Sequence, residues 1–169
     1  MKVNAAGLIL LAASAVASPL AARVARRNGV SRPNIRVNPK DGHIDSTSVS
    51  YNWAGAVLES SDFTEVSGTF VVPTPRIPGN GDDSTQYCAT AWIGIDGDKC
   101  QRSLFQTGVD FCIQGGTVSY DAWYEWIPAA SIDFNGININ AGDSISLSVV
   151  ATSTTSGVAT ITNNSNGQR

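Results

Sequence analysis

Histidine is almost missing from this chain of 169 residues: the one copy, His43, lies in the first third. A histidine-based hydrolase triad or a multi-histidine metal site beyond that point is therefore excluded. Charge is scarce too, at 15% of residues with a formal net charge of -3. Beyond Tyr51 only Arg76, Lys99, Arg102 and Arg169 are basic, against twelve carboxylates. So acidic a stretch speaks against nucleic acid or an anionic membrane as partner, because both call for a positive surface. Long apolar runs are limited to Ala5–Ala17, about 13 residues, where a bilayer crossing needs roughly 20.

What that run does offer is an export signal. Lys2 precedes it, and Ala15-Val16-Ala17 has the small-x-small pattern of a signal-peptidase site, so residues 1–17 are expected to be a signal peptide and the protein to be secreted. Residues 18–50 carry Pro19, Pro33 and Pro39 and no sustained apolar period. They read as a basic pro-segment. From Met1 to Ser50 seven basic residues stand against Asp41 and Asp45. Such a segment attracts an acidic domain near neutral pH and releases it once carboxylates take up protons, which would make it the chain's own electrostatic inhibitor. A merely disordered leader is the other reading.

From residue 51 to 169 the pattern is that of strands separated by turns, with 16 Gly, 7 Pro and many Ser and Thr in the chain. Strands are expected at Trp53–Leu58, Glu65–Val72, Cys88–Ile95, Ser103–Ile113, Thr117–Ile127, Ser144–Ala151 and Gly157–Thr162. Ile145, Leu147 and Val149 share one face of their strand and Ser144, Ser146 and Ser148 the other, the signature of a half-buried sheet. The expected fold is an all-β antiparallel sandwich.

The hairpin at Gly115-Gly116 is the most informative segment. Taken as a two-residue turn, it sets Gln114 opposite Thr117, and then Asp110 opposite Asp121, Gly108 opposite Trp123 and Gln106 opposite Glu125. These residues share one face. Phe105, Val109, Phe111, Tyr120, Ala122, Tyr124 and Trp126 point the other way, into the expected core. The first face carries opposed carboxyls, an amide beside a third, and an indole expected to be exposed over a glycine. Carboxyls that share a proton are comfortable in acid. The face reads either as a binding groove or as a solvated polar surface.

Several stretches together carry a family resemblance. Asn52-Trp53-Ala54-Gly55-Ala56-Val57-Leu58, Val66-Ser67-Gly68-Thr69-Phe70-Val71-Val72-Pro73, Ala91-Trp92-Ile93-Gly94-Ile95-Asp96-Gly97-Asp98, Phe105-Gln106-Thr107-Gly108-Val109-Asp110-Phe111 and Tyr120-Asp121-Ala122-Trp123-Tyr124-Glu125-Trp126 resemble the successive motifs of the fungal glutamic endopeptidases, the eqolisins. The resemblance implies a secreted acid protease, insensitive to pepstatin, built as a concanavalin A-like sandwich of two curved antiparallel sheets. It implies no cofactor and no metal, polypeptide substrates and a monomer.

The family's catalytic pair is a glutamine and a glutamate. The glutamine maps onto Gln106. The glutamate belongs to a later motif of the type Ala-Glu-Trp-Ile-Val-Glu, which does not occur up to Arg169. The resemblance therefore implies an incomplete domain, inactive as it stands. Trp53, Trp92, Asp96, Asp110, Asp121 and Trp123 fall at motif positions associated with the cleft or its support. Glu125 falls where the family lines its groove, a place for substrate contact or support of the carboxyl network. In the implied mechanism the glutamate takes a proton from an attacking water while the glutamine amide donates to the developing oxyanion.

Three cysteines leave one over. Cys88 and Cys100 flank the Trp92–Asp98 motif at a distance that a disulfide can close, so that pair is expected, with Cys112 either lacking a partner or serving as a buried thiol. Asn163-Asn164-Ser165 is a glycosylation sequon at Asn163. Asp96-Gly97-Asp98 reads as a turn. Beside the endopeptidase, two other functions remain open: a binding module for peptide or sugar with Trp53, Trp92 and Trp123 as its platform, and a glycosidase using Glu125 with Asp121 or Asp110.

Overall fold

The computed structural model describes residues 54–100 and 102–169, together with the backbone of two short strands earlier in the chain. Among the described residues every regular element is a strand. β1 (Ile35–Val37) pairs antiparallel with β2 (Ile44–Thr47) and parallel with β3 (Val57–Leu58), with Arg36 opposite Val57. No regular structure was expected before residue 51, since three or four residues are too few to show a period. The expected strand from Trp53 is cut to Val57–Leu58. Trp53 itself, His43 and the signal-peptide region lie outside the described residues.

Two larger sheets follow. One has the order β10-β9-β4, from β4 (Glu65–Val71), β9 (Ser144–Ala151) and β10 (Gly157–Asn163). The other has the order β5-β6-β7-β8, from β5 (Tyr87–Asp96), β6 (Leu104–Gln114), β7 (Thr117–Ile127) and β8 (Ile132–Asp133). All pairings within these two sheets are antiparallel. β8 escapes sequence reading because two residues carry no pattern.

Alternation decides what meets between the sheets. Ile145, Leu147 and Ile161 from the first pack with Val109, Phe111 and Ala122 from the second, and Val72 joins them. Burying such a side chain fully contributes roughly 1.5–3 kcal/mol, so these positions bind the sheets together. Ser146, on the opposite face of β9, instead exchanges a 2.9 Å hydrogen bond with Thr69. Phe105 stacks on Trp126 with ring centroids 4.4 Å apart, tying β6 to β7 near their ends.

The loops are held by short polar side chains. Asp82 Oδ1 accepts from the backbone N–H of Ser84 and of Thr85, both at 2.9 Å, and from the Ser84 hydroxyl, while Oδ2 accepts from Thr85 Oγ1 at 2.9 Å. Donors from Ser84 first and Thr85 second favour the ionised form and bring this carboxyl down to about 2 from 3.8. A lowered folded-state value means that the turn is stabilised above the unfolded value and loses that support as pH falls through about 2. Titration of Asp82 followed by carboxyl NMR is expected to show a midpoint near 2; a midpoint near 3.8 would mean that these donors do not hold it.

Asn163 departs from expectation. Its side chain is buried, with Nδ2 donating to Asn138 O and Asp143 Oδ2, both at 2.8 Å, and Oδ1 accepting from Ser165 N at 3.0 Å. The amide nitrogen that a glycan would modify is spent inside the fold, so the sequon is structural in the folded domain. Asp143, held by Asn140 N–H first and Asn163 second, has its carboxyl lowered from the ordinary value.

Candidate active site

Gly115 and Gly116 both take positive φ, 55° and 78°, the conformation that a two-residue type I′ turn demands and glycine supplies without a Cβ clash. That turn fixes the register of β6 on β7. Gln106 lies opposite Glu125, Gly108 opposite Trp123 and Asp110 opposite Asp121, as the hairpin reading predicted. β5 adds the other flank, with Gly94 opposite Gln106, Trp92 opposite Gly108 and Thr90 opposite Asp110. The resulting row faces away from the β10-β9-β4 sheet.

At its centre Gln106 Nε2 donates to Glu125 Oε2 at 2.6 Å. Both side chains are buried, 5% and 1% exposed. Two positions along β6, Asp110 Oδ1 accepts from Trp123 Nε1 at 2.8 Å and from Thr90 Oγ1 at 2.7 Å. Taking a carboxyl out of water is expensive unless hydrogen bonds replace those it loses, and these donors do so. Thr107, on the core side of β6, donates to Trp123 O at 2.7 Å and fixes the backbone under the indole.

Trp123 lies over Gly108 as expected but is not exposed: only 2% of it meets solvent. A hydrogen-bond partner for its N–H draws the ring down onto the sheet, and the glycine leaves the room. A Cβ at 108 would come within 2.7 Å of Trp92 Cβ, 2.8 Å of Ala91 O and 2.9 Å of Trp123 Cζ2. Trp92 and Asp121 are half-buried on the same face. Asp96 sits exposed at the end of β5 with φ 69°, a left-handed conformation that aspartate tolerates. The structure thus gathers Gln106, Trp92, Asp110, Asp121, Trp123 and Glu125 on one sheet face and puts Asp96 at its rim.

Thr90 was missed by sequence reading. Its role follows from the pairing of β5 with β6, and no short turn sets that register in the sequence.

The disulfide also differs from expectation. Cys88 is bonded to Cys112, and Cys100 is free and exposed. The register of β5 on β6 puts Cys88 directly opposite Cys112, with Cα atoms 4.1 Å apart. Cys100 lies past the end of β5, in the loop before β6.

A sequence profile of the peptidase A4 family matches residues 51–169. The chain is 40% identical over 185 residues to aspergillopepsin-2 of Aspergillus niger, covering 94% of this chain and 66% of that protein. It is 47% identical over 150 residues to scytalidopepsin B of Scytalidium lignicola, covering 88% of this chain and 52% of that protein. Among solved structures, that of scytalido-glutamic peptidase with a transition state analog inhibitor superposes with a TM-score of 0.59 at 50% identity, covering 72% of this chain and 54% of that one. The chain therefore spans from about half to two thirds of the length of the curated relatives it matches.

Proposed function

Because the chain belongs to the peptidase A4 family, the eqolisins, we propose that it is a glutamic-type acid endopeptidase in which Gln106 stabilises the oxyanion formed when water attacks a peptide carbonyl. The observation that carries this reading is the Gln106 amide itself, fixed on a rigid central strand beside Glu125 and away from the inter-sheet core. A primary amide keeps its N–H donors at any acid pH, which suits it to a task that a carboxylate performs only when protonated. The chemistry is general-base attack by water with the amide as electrophilic partner.

The base is another carboxylate. The chain's glutamates are Glu59, Glu65 and Glu125. Glu59 pairs with Lys99, and Glu65 stands on the edge strand β4 of the other sheet. Glu125 touches Gln106 directly at 2.6 Å, with no space for a water between the two groups. On this reading the general base belongs to the part of the relatives that the match does not span.

Secretion and a basic inhibitory pro-segment belong to the same proposal. The pairing of Arg36 with Val57 supports an association of the segment before residue 51 with the domain after it. The test is hydrolysis of denatured casein at pH 3 to 4, with and without pepstatin, by a form of the protein that carries that base. Pepstatin-resistant cleavage is expected. Cleavage abolished by pepstatin, or reducing-sugar release without proteolysis, would overturn the reading.

A further inference from the structure

An amide head is nearly symmetric in shape but not in chemistry: one end donates and the other only accepts. If Gln106 is to steady an oxygen gaining negative charge, its NH₂ end must face that oxygen. A freely rotating amide presents its carbonyl oxygen as readily, and that end repels an oxyanion. Something has to choose.

Resting on the reading of Gln106 as oxyanion donor, we propose that Glu125 is the positioning residue that makes this choice. Its Oε2 accepts one Nε2 hydrogen at 2.6 Å, so a flipped amide would set oxygen against oxygen at the same separation. The second Nε2 hydrogen, on the same nitrogen and diverging from the first, is the one that a substrate carbonyl would take. Glu125 is rigid enough for the task, being 1% exposed and directly across β6 and β7 from Gln106. The Phe105–Trp126 stack clamps the same strand pair one residue away.

On the opposite flank the residue that faces Gln106 has no side chain to compete for its amide. Gly94 faces Gln106 from β5, and a Cβ there would approach Gln106 Cβ to 3.0 Å. Direct contact also separates this role from that of a general base, which would need a water between itself and the amide, adding a second hydrogen-bond length to the gap.

The test reads the amide itself, in ¹⁵N- and ¹³C-labelled protein of the full chain, with Glu125→Met and Glu125→Gln as variants. Methionine removes the acceptor; glutamine keeps one through its Oε1. In the wild type, one of the two Gln106 side-chain protons is expected to be shifted downfield and to show through-hydrogen-bond coupling to the Glu125 carboxyl carbon. In Glu125→Gln the downfield shift stays. In Glu125→Met it vanishes, and exchange between the two protons quickens by about tenfold or more. In any form of the protein with measurable proteolysis, Glu125→Met is expected to lower kcat at least about tenfold with KM changed less than about twofold, and Glu125→Gln to stay within about threefold of wild type.

A wild-type Gln106 amide with free-glutamine shifts and no coupling to Glu125 would overturn the proposal, and this measurement needs no variant to fold. So would a folded Glu125→Met protein with unchanged Gln106 protons, or a Glu125→Gln protein as impaired as Glu125→Met. Absence of proteolysis in a form that carries the general base, with the amide signature intact, would remove the peptidase reading and leave the fixed orientation standing.

Discussion

In whichever form of the protein carries proteolytic activity, Gln106→Ala lowers kcat by about 10²- to 10³-fold, the loss typical of removing one oxyanion donor, with KM little changed. The effect is expected in kcat because the donor strengthens its bond as charge develops, so its loss is felt at the transition state rather than on binding. Stability also falls, by about 1–3 kcal/mol, because Glu125 stays buried after its donor is gone. Thermal melts beside the kinetics separate the two effects. A folded Gln106→Ala protein that digests protein as fast as wild type would remove Gln106 from the mechanism.

Gln106→Glu sharpens the same expectation through pH. It places a second carboxyl at hydrogen-bond distance from Glu125, and such a pair holds one proton between them, raising one titration above the ordinary value of about 4.3. A raised folded-state value means that the shared-proton stabilisation is complete below the unfolded value and is lost as pH rises through the raised one. The variant should therefore melt close to wild type at pH 3 and well below it at pH 7. A pH-independent difference would show that the two side chains do not meet.

How far this site was legible in the sequence depends on chain separation. Gly115-Gly116 closes its hairpin in two residues, so one local turn sets eleven cross-strand pairs from Leu104 with Ile127 to Gln114 with Thr117. The Gln106–Glu125 contact follows from that alone. The pairing of β5 with β6 is another matter. It is joined through residues 97–103, too long a connection for the turn at Asp96-Gly97 to fix a register, and so neither Thr90 as a partner of Asp110 nor Cys88 as a partner of Cys112 could be placed.

Burial was harder to read than register. Alternation assigns Trp123 to the polar face, and a polar face reads as wet. The indole is dry, and its N–H is satisfied by a carboxyl on the neighbouring strand, a fact of tertiary geometry. Asn163 teaches the same lesson: its sequon spans three residues, while the partners that hold its buried side chain, Asn138 and Asp143, lie 25 and 20 residues away.

The disulfide yields the second large effect. Cys88 and Cys112 close a loop with a sequence separation of 24, and restricting an unfolded chain by a loop of that size contributes about 3 kcal/mol. The double variant Cys88→Ser/Cys112→Ser is therefore expected to melt on the order of 10 °C lower for a domain of this size. Cys100→Ser should leave the melting temperature within a degree or two, because that side chain is free and exposed. Alkylation of the native, unreduced protein is expected to label Cys100 alone, and all three cysteines after reduction and unfolding. The sign of the comparison discriminates: a bond from Cys88 to Cys100 would make Cys100→Ser the costly change and leave no cysteine to label until the protein is unfolded, since Cys112 is buried. The bond's place strengthens the expectation. It joins β5 to β6 on the Gln106 face, one residue pair beyond Ala89 and Phe111 and two beyond Thr90 and Asp110. Loosening it should therefore also loosen Thr90 on Asp110 and, through Asp110, the Trp123 indole, so indole Nε1–H exchange in the double variant is expected to quicken while that in Cys100→Ser does not.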